Sequence, residues 1–250
     1  MTSFNPPFFI LGCVRSGTTL LRNLLRQHPH LACPEETHFF RWAEPFGGSA
    51  FGRMQRNNEV LQRHRQIDGI SEEEFEQILE HAHSRADLCE RYMQIYVARN
   101  KPAASRWFDK TPQNVYGAAL IASSMPSVRF VHIVRNPVNV VASLRIGAVI
   151  KVKRLMGACN YWTEAIEIIS LLRQACPERL LELRYEDLTT QPEAALKRVL
   201  DFVGEPFDPA WFAGTALKLS SHQDSDVLND AELLRVRNRC SAGMRHYGYL

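Results

Sequence analysis

Phe8-Phe9-Ile10-Leu11-Gly12-Cys13-Val14-Arg15-Ser16-Gly17-Thr18-Thr19-Leu20-Leu21-Arg22-Asn23-Leu24-Leu25 is the stretch on which the fold turns. It begins as a short apolar run from Phe8 to Cys13, halts at a glycine-containing turn, and resumes from Thr19 to Gln27 with leucines at Leu20, Leu21, Leu24 and Leu25. The first run is too short for a helix, whereas the leucines repeat at helical spacing, so the pattern predicts strand, loop, helix. Gly12 and Gly17 permit tight backbone curvature between the two elements. Successive backbone N–H groups and a helix N-terminus then converge on an anion. Arg15 adds a positive charge from within the loop.

The same alternation continues outward. Arg106 to Asp109 reads as a brief strand, ended by the turn Thr111-Pro112-Gln113-Asn114 and followed by a helix from about Val115 to Ser124. Val128 to Val134 (VRFVHIV) is rich in β-branched residues without polar alternation, as expected of a strand covered on both faces. It runs into Arg135-Asn136-Pro137 and a helix from about Val138. A long helix near Leu155 to Gln174 precedes a strand from Leu180 to Arg184, and another helix opens near Pro192, a residue suited to a first turn. Residues 46–100 read as helical and polar, with Ser71 as an N-cap and Glu74 three positions on. Beyond Trp211 the periodicity weakens to loop, with one helix from about Asp230 to Met244.

Strands alternating with helices predict an α/β fold, a three-layer sandwich of the P-loop type with a central parallel sheet and helices on both faces. At 250 residues the chain suits a single domain, residues 1–250, carrying a helical insertion at about 46–100. Apolar residues make up 45% and charged residues 23%, the balance of a globular protein and not of a disordered or fibrous one. A net charge of +3 is compatible with an anionic ligand but far below what a nucleic-acid-coating surface carries.

The N-terminus lacks the basic and long apolar regions of an export signal. No run of about 18 uncharged apolar residues is present for a membrane span. The six cysteines are scattered without a C-x-x-C pair, and His81 and His83 are two apart, which points them to different faces of a helix. The expectation is a cytoplasmic chain with reduced thiols and no metal.

Gly12 to Thr19 has the glycine spacing of the triphosphate-binding motif G-x-x-x-x-G-K-[ST] but places Thr18 where that motif has lysine. In kinases and NTPases that lysine bridges the β and γ phosphates. A cradle without it suits a donor that is not a triphosphate. Arg-Ser-Gly-Thr-Thr-Leu-Leu after an apolar strand resembles the 5′-phosphosulfate loop of sulfotransferases that use 3′-phosphoadenosine 5′-phosphosulfate (PAPS). By that resemblance Arg15, Ser16, Gly17, Thr18 and Thr19 hold the 5′ end of the donor, and the fold and reaction are those of that family.

Other segments resemble the family in the same order. Arg135-Asn136-Pro137 with Ser143 is similar to its 3′-phosphate motif, R-[ND]-P-x-x-x-x-x-S, in which arginine and serine make charge-assisted contacts. Cys33-Pro34-Glu35-Glu36-Thr37-His38 resembles the Glu-Glu-Thr stretch of the protein-tyrosine branch. The match implies Glu36 as the base that takes the acceptor proton, a task helped if partial burial lifts its pKa; Glu35 and His38 are rivals for it. Asp109-Lys110-Thr111-Pro112 resembles the K-[DT]-P element, which implies Lys110 as the cation on the oxygen between sulfur and the leaving phosphate.

Leu183-Arg184-Tyr185-Glu186-Asp187-Leu188 resembles the R-Y-E-D-L end of a late strand, placing Tyr185 near the donor's adenosine. Ser225 is a weaker match to a donor-contacting serine. The ending Met244 to Leu250 resembles the closing helix and turn of bacterial members. The implied reaction is in-line displacement yielding a sulfated hydroxyl or amine and 3′,5′-adenosine bisphosphate (PAP), without a metal. Arg15 and Arg135 would mark two separated cationic pockets one nucleotide's length apart. The alternatives are a small-molecule kinase with a degenerate loop and a non-catalytic nucleotide-binding module. The acceptor stays open among small molecule, carbohydrate, lipid and peptide, as does oligomeric state.

Overall fold

A computed structural model describes residues 4–148, 150–213 and 227–250. The quoted stretch forms strand β1 (Phe8–Leu11) and helix α1 (Thr18–Leu25) joined by the glycine loop. The short strand β2 (Leu31–Ala32) leads into helices α2 (Ser49–Arg56), α3 (Glu59–Asp68), α4 (Glu72–His81) and α5 (Arg85–Asn100). Strand β3 (Arg106–Lys110) then returns to the sheet, followed by a 3₁₀ segment (Pro112–Gly117) and α6 (Ala118–Ser124). The remaining elements are β4 (Arg129–Val134), α7 (Pro137–Ile146), α8 (Leu155–Ala175), β5 (Leu180–Arg184), α9 (Tyr185–Thr190), α10 (Pro192–Val203) and α11 (Asp230–His246).

The five strands pair in parallel in the order β2-β3-β1-β4-β5. β1 is central, with Phe8 opposite Phe108 on one side and Arg129 on the other. All four of its residues are fully buried, which explains why the run is uniformly apolar. Successive side chains leave opposite faces of a strand, and the core divides accordingly. Phe8 and Ile10 pack with Leu21, Leu24 and Leu25 of α1 and with Leu196, Val199 and Leu200 of α10. Phe9 and Leu11 pack on the other face among residues of α5, α7, α8 and α11. These are the three layers expected from the alternation.

Local chemistry sets the helix ends. The Ser71 hydroxyl accepts the Glu74 N–H while the Glu74 carboxylate accepts the Ser71 N–H, and Asn229 and Glu232 do the same at the start of α11. Two stretches depart from the sequence reading. The helix expected from Val115 begins as a 3₁₀ segment because Pro112 opens it and Gly117 lies so close to the Phe40 carbonyl that any Cβ would collide. The strand ending at Arg184 passes directly into α9, with Glu186 and Asp187 in its first turn, where the helix dipole favours them. Among the described residues no helix is long and apolar enough to cross a membrane. Ser225 lies outside the described residues.

Candidate active site

Each segment singled out in the sequence follows the C-terminal end of a strand: residues 12–17 after β1, residues 33–38 after β2, Lys110 at the end of β3, Arg135 after β4 and Tyr185 after β5. In an open parallel sheet that is where ligands bind. The residues therefore share one edge of the sheet, although up to 170 positions separate them in sequence, from Arg15 to Tyr185.

The glycine loop is held in a strained, narrow form. The Ser16 N–H donates to the Cys13 carbonyl at 3.1 Å, and Arg15 takes a left-handed backbone, φ 72°. A Cβ on Gly12 would sit 2.5 Å from the Ile133 carbonyl oxygen of β4. Gly17 has φ 95°, and a Cβ there would collide with the Tyr185 ring. The Ser16 hydroxyl is buried and has no hydrogen-bond partner among the described residues. An orphaned buried hydroxyl in a turn of converging N–H groups fits an anion that would occupy the loop.

Arg15 and Arg135 lie on the same side of the molecule. Arg135 Nη1 donates to the Arg15 carbonyl at 3.3 Å, and Arg15 Nε donates to Ser143 Oγ at 2.9 Å. The Arg135 guanidinium lies over the Tyr185 ring at 4.7 Å, a cation–π distance. Its carbonyl accepts from Trp162 Nε1 at 3.0 Å. The Asn136 N–H donates to Glu186, whose other oxygen accepts the Tyr249 hydroxyl at 2.7 Å, so the closing turn of the chain braces the Arg135 loop.

Across the loop from Arg135 stands the second cluster. Lys110, 1% exposed, donates to Glu36 Oε1 through a short contact and approaches Thr19 Oγ1 at 3.4 Å. His38 Nε2 lies 3.4 Å from Glu36 Oε2. Burial pushes the Glu36 carboxyl up, but the His38 hydrogen bond and the charge and hydrogen bond of Lys110 outweigh it and bring the pKa down to about 2. The expectation that burial would lift this pKa is therefore reversed, because the carboxylate enters the interior already paired.

Glu35 is turned away. Its carboxylate is clamped by Arg22 at 2.7 Å and Arg26 at 3.0 Å. Glu35 and Glu36 are adjacent in sequence, but the two arginines, four apart along α1 and its end, give them different surroundings.

Several supporting residues were given no role by the sequence. Asp109 is fully buried and accepts from Thr37 Oγ1 at 2.6 Å, Asn114 Nδ2 at 3.0 Å and Thr111 Oγ1 at 3.3 Å. Thr111 Oγ1 in turn accepts the Thr37 N–H at 3.0 Å. From α3, Asp68 accepts the Glu35 N–H at 2.8 Å, and His64 Nδ1 lies 2.9 Å from the Glu36 carbonyl. The helical segment 46–100 thus holds the backbone on both sides of Glu36.

Known proteins share this framework. Protein-tyrosine sulfotransferase A of Caenorhabditis elegans is 26% identical over 82% of this chain, which spans 51% of that protein. The sulfotransferase domain of the Synechococcus PCC 7002 olefin synthase superposes with a TM-score of 0.58 at 25% identity, covering 94% of this chain and 84% of that domain. Mouse sulfotransferase SULT7A1, solved complexed with PAP, superposes with a TM-score of 0.54 at 12% identity over 98% of this chain and 86% of its own, a likeness of fold. Residues 6–209 match the Sulfotransferase family, and the chain belongs to it.

Proposed function

We propose that this chain moves the sulfuryl group of PAPS to an acceptor hydroxyl or amine, releasing PAP. The observation that carries the reading is the division of one loop edge into two chemistries: a cationic rim of Arg15, Arg135 and Ser143 on one side, and the Lys110–Glu36 pair on the other. Residues 12–19 and Arg15 would receive the 5′ end of the nucleotide, Arg135 and Ser143 its 3′-phosphate, and Tyr185 its adenosine. When bound, the nucleotide supplies an activated sulfur with phosphate as leaving group.

Glu36 is the base in this reading. It takes the acceptor's proton as the acceptor oxygen or nitrogen attacks sulfur from the side opposite the leaving phosphate. Lys110 and Arg15 meet the charge that grows on the departing oxygen, where a fixed cation in a water-poor site is worth most. Protein cations then stand where Mg²⁺ stands in kinases, so turnover should survive a chelator.

The acceptor is a small molecule, a carbohydrate or a peptide. A cytoplasmic setting accords with six cysteines that are all unpaired and buried. The test incubates the protein and PAPS with a panel of phenols, tyrosyl peptides and amino sugars and reads mass gains of one sulfuryl unit. A parallel thermal-shift comparison sets PAP against ATP with Mg²⁺. Preference for ATP with Mg²⁺ would turn the assignment to a kinase, and PAP binding without transfer on any acceptor to a non-catalytic module.

A further inference from the structure

His38 lies behind the Glu36 carboxylate, and four features single it out. Its side chain is 4% exposed with Nε2 3.4 Å from Glu36 Oε2. Its backbone is left-handed, φ 56°; among the described residues only Arg15 shares a positive φ without being glycine. Such conformations are strained and persist where the surroundings over-determine them. Here Thr111 Oγ1 accepts the N–H groups of both Thr37, at 3.0 Å, and His38, at 3.5 Å. Finally, the ring stacks 12° from parallel on His64, 6.3 Å away, the residue whose Nδ1 meets the Glu36 carbonyl.

The tautomer follows from the hydrogen-bond inventory. His38 Nδ1 is buried and has no partner among the described residues. A neutral imidazole carries one N–H, and burying that N–H at Nδ1 without an acceptor is unfavourable. Placing the hydrogen on Nε2 sends it to the carboxylate and leaves only a lone pair at Nδ1. Lys110 then donates to Oε1 while His38 Nε2–H faces Oε2 at 3.4 Å, so each oxygen has a partner. Oε1 carries the short Lys110 contact and Oε2 only the longer one to His38, which leaves Oε2 the freer of the two to take a proton.

We propose that His38 is a positioning residue for the transfer: its Nε2–H holds Glu36 so that Oε2 receives the acceptor's proton. In that step the acceptor O–H or N–H bond breaks and its proton passes to Oε2. The freed pair forms the bond to sulfur, and the bond from sulfur to the phosphate oxygen breaks with its pair on the phosphate. The inference rests on Glu36 as the base, and it gives the helical segment 46–100 a part in the chemistry, since His64 of α3 supports the ring.

The test uses three variants with PAPS as donor and the same phenol, tyrosyl-peptide and amino-sugar panel. His38→Asn suits the left-handed backbone but is too short to reach Oε2; His38→Gln carries an amide N–H to about the position of Nε2; Glu36→Gln removes the base. We expect His38→Asn to lower kcat about 10- to 100-fold, part of the 10²–10⁴ a positioned base supplies, with acceptor KM and PAP affinity within about threefold. His38→Gln should recover kcat to within about fivefold of the parent. If His38→Asn loses PAP binding, His38→Gln against His38→Ala repeats the comparison. A kcat unchanged in His38→Asn, or one equally low in His38→Gln while PAP still binds, overturns the proposal. Undiminished turnover in Glu36→Gln overturns the base assignment instead, so the two failures are distinguishable.

Discussion

Replacing Lys110 by alanine removes a cation that is almost wholly enclosed, 1% exposed at the end of β3 between Glu36 and Thr19. Two effects follow. The first is on the reaction: a single preorganised donor at a developing negative charge is worth about 10²–10³ in kcat, or about 2.7–4 kcal/mol. A full charge in an enclosed site belongs at the upper end of that range. The second is on Glu36, whose carboxyl is held near 2 partly by this ammonium. Without it the carboxyl rises and becomes a stronger base, which offsets a part of the first loss. The net expectation is a fall of about 300- to 1000-fold in kcat.

Breaking a fully buried pair costs about 3–5 kcal/mol, but the Glu36 side chain is 24% exposed and retains His38. About 1–2 kcal/mol is therefore the expected loss of stability, a Tm lower by about 2–8 °C for a chain of this size. PAP affinity should fall less than tenfold, because the arginine rim is untouched. Single-turnover kinetics with PAPS, calorimetric titration with PAP and thermal unfolding measure the three quantities. A kcat within tenfold of the parent, with the variant folded and binding PAP, would refute the role given to Lys110.

Three other perturbations have defined outcomes. Gly17→Ala forces a methyl into the Tyr185 ring from a backbone at φ 95°, so it should cost about 1–3 kcal/mol of stability and weaken PAP at least about tenfold; unaltered titration with PAP would contradict the packing. Arg106 and Glu205 form an enclosed pair at 2.7 Å with side chains 7% and 5% exposed, and Arg106→Ala should lose about 3–5 kcal/mol in urea unfolding, more than the double substitution Arg106→Met with Glu205→Leu. Burial pushes the Asp68 carboxyl up to about 6 from 3.8, against the hydrogen bonds of Tyr92 and the Glu35 N–H. A raised folded-state pKa means its stabilisation is complete below 3.8 and lost as pH rises through 6; from pH 7 to pH 5 the parent should gain about 1 kcal/mol that Asp68→Asn does not.

How much of this was legible in the chain differs from element to element. The loop at residues 12–19 could be read because its meaning is local: an apolar strand, two glycines at fixed spacing and a leucine-faced helix are adjacent in sequence. The two-residue β2 has no periodicity to read. The choice between Glu35 and Glu36 depended on Arg22 and Arg26, a cue present in the sequence but meaningful only once α1 is placed beside residues 33–38. Asp68 and His64 left no cue, since each acts on a residue 28 to 33 positions away; Asp109 and Thr111 stood in the Lys110 motif, but their contacts with Thr37 did not. The sign of the Glu36 shift was lost for the same reason: the sequence reveals a carboxylate entering the interior, and only the fold reveals that an ammonium and an imidazole meet it there.

That pairing also explains why the strain is where it is. Arg15 and His38 both hold left-handed backbones, and each lies in a loop that follows a strand of the sheet. A relaxed backbone at Arg15 would swing the guanidinium off Ser143; one at His38 would break the Thr111 clamp and draw Nε2 from Glu36. Both distortions are opposed by rigid neighbours, the central strand β1 on one side and the buried Asp109–Thr111 network on the other. The cost of the two conformations is thus carried by the core, and the geometry it secures is that of two groups on opposite sides of the glycine loop, Arg15 beside Ser143 and His38 beside Glu36.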